Sequence, residues 1–483
     1  MALYKKTKAR FPRIVPMVAS VLAALSLDVP SVLYATTVPV TSCADDGGTD
    51  TLRHAALTAV DNETIDLTQL TCSKITLTSG AIDIGADYVT VVGPGENVLT
   101  IDGNQKGRVF DQSAAHMTTI TDVTITGGVI SDPMPLGGCV YTTSSVQLIR
   151  TTVTGCVASG ATRASGGGVF AINGAYLLST SVSNNMSIST GTTGNIVSYA
   201  GGVFAGAYLL LSHSTLSGNA SNALYGKPFG GGAAAAGRLH SKYSTITDNK
   251  AVRASATGRF GYGGGVAGLS LSYAHIDSST IDHNQADIAG GLLLINTSST
   301  PARATLSNST VSSNIGNVGS GAVDSEMPMT ITNSTIAFNN GGSSGPGGVY
   351  LDNLASAEID SSIIADNAPA GTGSGGKRVG ADVGGIATAI TGAFNLINDS
   401  SIAPPAGTLT GDPLLSPFGC HGGATRTHAL MAGSPAIDAG FADAAINYDQ
   451  RGIGFVRSAG ASADIGAYES NPDQVFADGF DCE

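Results

Sequence analysis

Between Val140 and Asn367 the chain repeats one short pattern eight times, and that repetition limits the possible folds more than any other feature. The clearest copies open with Ser-Thr and close with Asn, at residues 214–219, 244–249, 279–284, 309–314 and 334–339. Weaker copies close at Asn185 and Asn367, and one closes at Cys156 where Asn is expected. A glycine-rich step precedes the copies, as in Gly167-Gly168-Val169, Gly201-Gly202-Val203 and Gly264-Gly265-Val266. Five copies keep 16 positions from step to closing residue: 140 to 156, 169 to 185, 203 to 219, 233 to 249 and 323 to 339. Closing residues recur at roughly 25–35 positions, a period that belongs to solenoids and propellers.

The apolar positions choose between these. Leu148, Leu177, Leu211, Ile276 and Leu306 stand eight places before the closing residue, and Val153, Val182, Leu216, Ile246 and Ile281 stand three before it. Thr, Val, Ile and Ser alternate between them with period two, which is the pattern of strands, and nothing inside the repeat reads as helix. Short strands stacked at constant period form an all-β solenoid, a parallel β-helix in which each coil buries its apolar face against its neighbours. One amide per coil, about 4.8 Å from the next, predicts a ladder of hydrogen-bonded asparagines. Glycine pairs at each coil predict a turn with positive φ or a close backbone approach.

Taken in order, residues 1–35 read as an export signal. Lys5, Lys6, Lys8, Arg10 and Arg13 precede a short apolar run, Ile14–Leu27, too brief to span a membrane. Residues 36–110 hold an N-terminal cap and the first coils, with strands expected at Thr64–Leu67, Ile75–Leu77, Tyr88–Val92, Leu99–Ile101 and then Ile120–Thr126. Asp50 and the apolar spacing over Thr51–Val60 predict a short capping helix. Residues 111–370 carry the regular coils, and residues 371–483 an irregular C-terminal cap without a span or barrel pattern. The net charge of −13 makes nucleic acid a poor partner.

Six cysteines in an exported chain favour disulfides. Cys43 and Cys72 bracket the capping helix and are expected to pair. So are Cys139 and Cys156, which occupy a glycine place and the ladder place of one coil. The pairing of Cys420 and Cys482 stays open.

The opening Thr41-Ser42-Cys43-Ala44-Asp45-Asp46-Gly47-Gly48, the repeats, and the closing Gly433-Ser434-Pro435-Ala436-Ile437-Asp438, Asp449-Gln450-Arg451-Gly452 and Ala463-Asp464-Ile465-Gly466-Ala467-Tyr468-Glu469 together resemble a family. It is the bacterial secreted right-handed β-helix proteins with a choice-of-anchor Q terminal region, in the pectin-lyase-like fold group. The repeats are also similar to those of polymorphic outer-membrane proteins. The resemblance implies a right-handed helix and a secreted or cell-surface protein. An enzyme of this fold would carry aspartate clusters for calcium beside an arginine base, or the several short segments of polygalacturonases. Of these only His421-Gly422 is present, outside the repeat.

Two groups of residues are candidates for function. On the outward side of consecutive coils, His240 should lie beside His275 and Lys242 beside Asp277, a weak candidate for proton transfer. The second group follows from loop length. From each closing residue to the end of the next step are 13, 18, 14 and 17 positions after residues 156, 185, 219 and 249, but only 8, 9 and 10 after 284, 314 and 339. Such long insertions on neighbouring coils project from one side and often form a binding face. They contain Arg163, Lys227, Lys250, Arg253 and Arg259, with Tyr199, Phe229, Phe260 and Tyr262, and no acid. Aromatic faces stack on sugar rings and cations hold carboxylates or sulfates. The expected partner is an anionic polysaccharide or a host surface glycan, held by a non-catalytic, adhesin-like scaffold with no transmembrane segment in its mature chain. A polysaccharide lyase or hydrolase, and a structural envelope component, are the alternatives. No cofactor is implied. Calcium on Asp438, Asp449, Asp464 and Glu469 lacks a supporting motif, and Arg451 among them points to salt-bridged bracing instead.

Overall fold

The computed structural model describes residues 36–254, 259–296, 302–352, 355–369, 381–386, 390–441 and 446–471. The expected export signal lies outside them. The described chain is a right-handed parallel β-solenoid of about 11 turns. Each regular coil contributes to three sheets. The first has 22 strands and is folded along a bend, the second has 12 strands, and the third has 9. Residues three and eight before each closing residue fall in register: Leu177 pairs with Leu211, Val182 with Leu216, and Ile246 with Ile281. All are within 1% of complete burial and belong to one continuous apolar core.

The second sheet is flanked in each coil by two turn residues of positive φ, one on each side. They are His213 and Gly218, then Tyr243 and Asp248, then Ser278 and His283. These left-handed corners, mostly not glycine, let a three-residue strand turn sharply. The coil pattern also explains where the expected strand at Ile120–Thr126 breaks. Asp122, at φ 59°, divides it into Thr118–Thr121 and Thr124–Thr126.

The asparagine ladder is present. Asn249 donates from its backbone and from Nδ2 to Oδ1 of Asn284, at 3.0 Å each, and Nδ2 also reaches the Leu216 carbonyl at 2.8 Å. The pattern runs from Asn185 through Asn219, Asn249, Asn284, Asn314 and Asn339 to Asn367, where Asp382 accepts the last bonds. Its first rung is the backbone of Cys156. A second ladder, which the repeat also spells, uses the serine that opens each copy. The backbone of Ser214 donates to Ser244 Oγ, Ser244 to Ser279, Ser279 to Ser309, and so on to Ser362. At about 1 kcal/mol net per bond, each coil is tied to the next by several kcal/mol besides its apolar contacts.

The glycine pairs resolve into the two expected causes at different residues. Gly167 and Gly168 are there for close approach, since an added Cβ would lie 2.3 Å from the Gly201 carbonyl or 2.9 Å from that of Gly202. Positive φ falls one residue earlier, at Gly166, Ala200, Gly230 and Gly263.

The capping helix, α1, runs over Leu52–Thr58 and buries Leu52, Ala55 and Ala56. Its N-cap is Thr51, not Asp50; the Thr51 hydroxyl accepts from the His54 amide. Disulfides join Cys43 to Cys72 and Cys139 to Cys156. Cys420 is also disulfide-bonded, while Cys482 lies outside the described residues.

The C-terminal region departs from a simple end cap. Ile402 joins the main core at the end of the solenoid, and Leu409 bridges to Leu396. From there residues 412–441 and 446–471 fold back along the outer face of the second sheet. Gln450 is buried there between Thr280 and Thr310, and Ala467 donates to Thr335. Leu415, Ala436 and Ile465 form a small second core with Ile363 and Ala365. This flap covers the sheet from Thr280 onward, whereas Thr215 and Thr245 remain part-exposed.

Candidate functional site

The long insertions are strands rather than bare loops. Arg163–Ser165, Val197–Tyr199 and Lys227–Phe229 form a small parallel sheet, continued by bridges from Phe229 to Tyr262 and from Tyr262 to Ile288. Because successive coils repeat the same place, their rings stack. Tyr199 lies on Phe229 at 5.4 Å and Phe229 on Tyr262 at 5.1 Å, nearly parallel. Phe229 and Tyr262 also pack on an apolar patch around Ala267 and Leu293 of the first sheet. Rings stacked in this way spend their faces on one another, so the expected face-on stacking of sugars on Tyr199 and Phe229 does not hold. These rings are part of the scaffold.

What the insertions leave open is a hollow of about 300 Å3 lined by Lys227, Arg253, Arg259, Phe260 and Tyr262. The Lys227 ammonium stands 5.8 Å above the Tyr262 ring, and the Arg253 guanidinium 4.9 Å from that of Phe260. Phe260 is 36% exposed. Two expected members are elsewhere. Arg163 stacks on Tyr199 at 5.3 Å, at the far end of the ring column. Lys250 is exposed on the third sheet, its backbone paired with Ala220 and Gln285. The long reach of a coil insertion separates them from the hollow.

Asp287 organises this hollow, and nothing in its spacing marks it out, because it sits on the following coil in a short interval. Its side chain is 2% exposed. Oδ2 accepts from the backbone amides of Arg253 and Gly261, at 3.0 and 2.8 Å, so one carboxylate pins both flanks of the segment. The Arg253 side chain lies 3.8 Å from Oδ1. Burial, followed by the charges of Asp287 and Asp324, pushes the Tyr262 hydroxyl up. Tyr262 is therefore a neutral donor beside the cations.

The other candidate group is also brought together. His240 and His275 pair across adjacent strands with ring centroids 5.0 Å apart, and Lys242 Nζ lies 3.0 Å from Asp277. Burial holds both imidazoles below their usual range, and His275 further lowers His240. Both are neutral near pH 7. His275 Nδ1 is 2.6 Å from Thr305 Oγ1, and Tyr273 stacks nearby. Lys242 and Asp277 satisfy each other at the flap margin, beside Asn447 and Tyr448. Neutral imidazoles can accept protons, but Lys242, the cation whose charge reaches both, is paired with Asp277.

The C-terminal acids are occupied by the flap itself. Asp449 accepts from Arg451 at 2.6 Å, and the Arg451 guanidinium lies between Phe455 and Tyr468 at 4.0 and 3.8 Å. Asp438 accepts from Ser462, Asp464 from Asp438 and Ser470, and Glu469 from Ala459 and Asp464. Backbone amides and Arg451 thus bond these carboxylates within the flap. This is bracing, within a lateral flap rather than an end cap.

No family model matches the chain, and no curated protein matches it. The fold is similar to that in the crystal structure of pectate lyase Pel9A, at 12% identity over 91% of this chain and 97% of that chain, with a TM-score of 0.42. A superposition that loose says nothing about chemistry. Among the described residues no helix is long and apolar enough to cross a membrane.

Proposed function

We propose that this is an exported cell-surface or extracellular β-helix protein that binds an anionic polysaccharide or host surface glycan without catalysis. The observation that carries the reading is the hollow where Lys227, Arg253 and Arg259 converge beside Phe260 and Tyr262 on a chain of net charge −13. Three cations gathered against the sign of the whole molecule suit a carboxylate or sulfate, while Tyr262 supplies a neutral donor. Two disulfides support an oxidising compartment. The terminal motifs that resemble choice-of-anchor Q proteins support the cell surface.

The neutral His240–His275 pair favours a second reading, a polysaccharide lyase or hydrolase. One panel separates the two. Polygalacturonate, alginate, hyaluronate and heparin are tested for binding, for reducing-end release and for absorbance of unsaturated products. Saturable binding without turnover is expected. Turnover that disappears in His240→Ala or His275→Ala would establish the enzyme instead, and absence of binding with retention in envelope fractions would leave a structural component.

A further inference from the structure

The second sheet changes character at one rung. Its outward Thr and Ser side chains are part-exposed up to Thr245 and Thr247, and buried from Thr280 and Asp282 onward by the flap. The flap edge therefore stands as a step on a flat sheet. At its foot is a hollow of about 380 Å3, larger than the one among the insertions and on a different face of the solenoid. Its floor is Thr215, Ser217, Thr245 and Thr247, two hydroxyls from each of two adjacent coils. The left-handed corners supply its sides: His213 and Tyr243 on one, with rings 5.1 Å apart, and Asp248 on the other. Ala424 and Arg426 of the flap form the end wall.

The polar groups here are unbalanced in an informative way. Thr247 Oγ1 lies 3.0 Å from both Asp248 Oδ2 and Asp282 Oδ2, yet a hydroxyl has one proton to give. Asp282 lines the hollow at 1% exposure; His283 serves its Oδ2 at 2.7 Å, and Oδ1 has no partner among the described residues. Acceptors on this side thus outnumber donors. At the end wall the reverse holds, because the exposed Arg426 guanidinium has no ion-pair partner among the described residues. A ligand complementary to the site brings several hydroxyls that donate at one side and accept at the other. The two aspartates repel an anion, and the Arg426 guanidinium at the end wall repels a cation.

We propose that this step-edge hollow, among Tyr243, Thr245, Thr247, Asp248 and Arg426, is a second carbohydrate site that takes a neutral hexopyranose unit. Its hydroxyls donate to Asp248 and accept from Arg426, over a floor of Thr and Ser hydroxyls. The site is independent of the cation-lined hollow among the insertions in position and in chemistry.

Calorimetric titration of the full chain with cello-, manno- and galacto-hexaose tests it. At least one is expected to bind saturably. Asp248→Ala and Arg426→Ala should each weaken that binding about tenfold or more, as loss of a charged hydrogen bond does. Both side chains are exposed, so the unfolding temperature should not move. The combined change of Lys227, Arg253 and Arg259 to Ala should leave this binding intact. No saturable binding by any of the three sugars, binding that survives both single changes, or binding abolished by the triple change would each overturn the proposal.

Discussion

Asn284 shows what a single ladder residue does. It is fully buried, receives two bonds from Asn249, and gives one to Asn314 and one to the Ile246 carbonyl from Nδ2. Replacing it with Ala strands donors on one coil and an acceptor on another, so Asn284→Ala should cost about 3 kcal/mol in urea unfolding. A loss under about 1 kcal/mol would mean the ladder is decoration. This role was legible in sequence because the amide recurs at one place in successive coils from Asn185 to Asn367. Asp287 was not, because a residue that acts once leaves no period. Asp324 makes a second case. Burial, then the charges of Glu326 and Asp352, pushes its carboxyl up to about 7 from 3.8. The folded value lies above the unfolded one, so its stabilising effect is complete below 3.8 and is lost as pH rises through about 7. Its charge also reaches Tyr262 in the cation-lined hollow. Anion affinity should therefore fall as pH rises through about 7, and Asp324→Asn should flatten that slope. An unchanged slope in the variant would assign it to another group.

The flap is the element the repeat could not announce. Residues 412–471 have no period, and their seat on the sheet uses side chains such as Gln450 and Thr310 that look like ordinary loop and strand residues. What could be read was the Arg451 bracing, because one arginine among several acids is visible without any register. Its geometry makes a sharp test. Arg451 is bidentate to Asp449 and flat between two rings, which an ammonium cannot reproduce. Arg451→Lys leaves the buried Asp449 poorly paired, at about 3 kcal/mol. The flap should then be cut by a nonspecific protease well before the coils are. Simultaneous digestion of flap and coils would show that they unfold as one unit.

For the whole molecule, the solenoid was legible because its apolar positions, ladder residues and glycine steps repeat in fixed order. The cation-lined hollow was legible only in part. Interval lengths and basic residues pointed to the insertions, but which cations meet depends on how those strands stack, and Lys250 and Arg163 fall outside the hollow. On the proposed reading, Lys227, Arg253 and Arg259 hold an anionic polysaccharide on an otherwise acidic scaffold. Exposed cations bind through attraction that salt screens within about 8 Å at physiological ionic strength. The most direct measurement is the Kd for polygalacturonate across a salt series, for the wild type and for the variant with all three changed to Ala. The wild type should bind tightest at low salt with a steep loss as salt rises, and the variant weakly with a flat profile and an unchanged unfolding temperature. Equal affinity of the two proteins at every salt concentration would show that these three cations do not hold the polysaccharide.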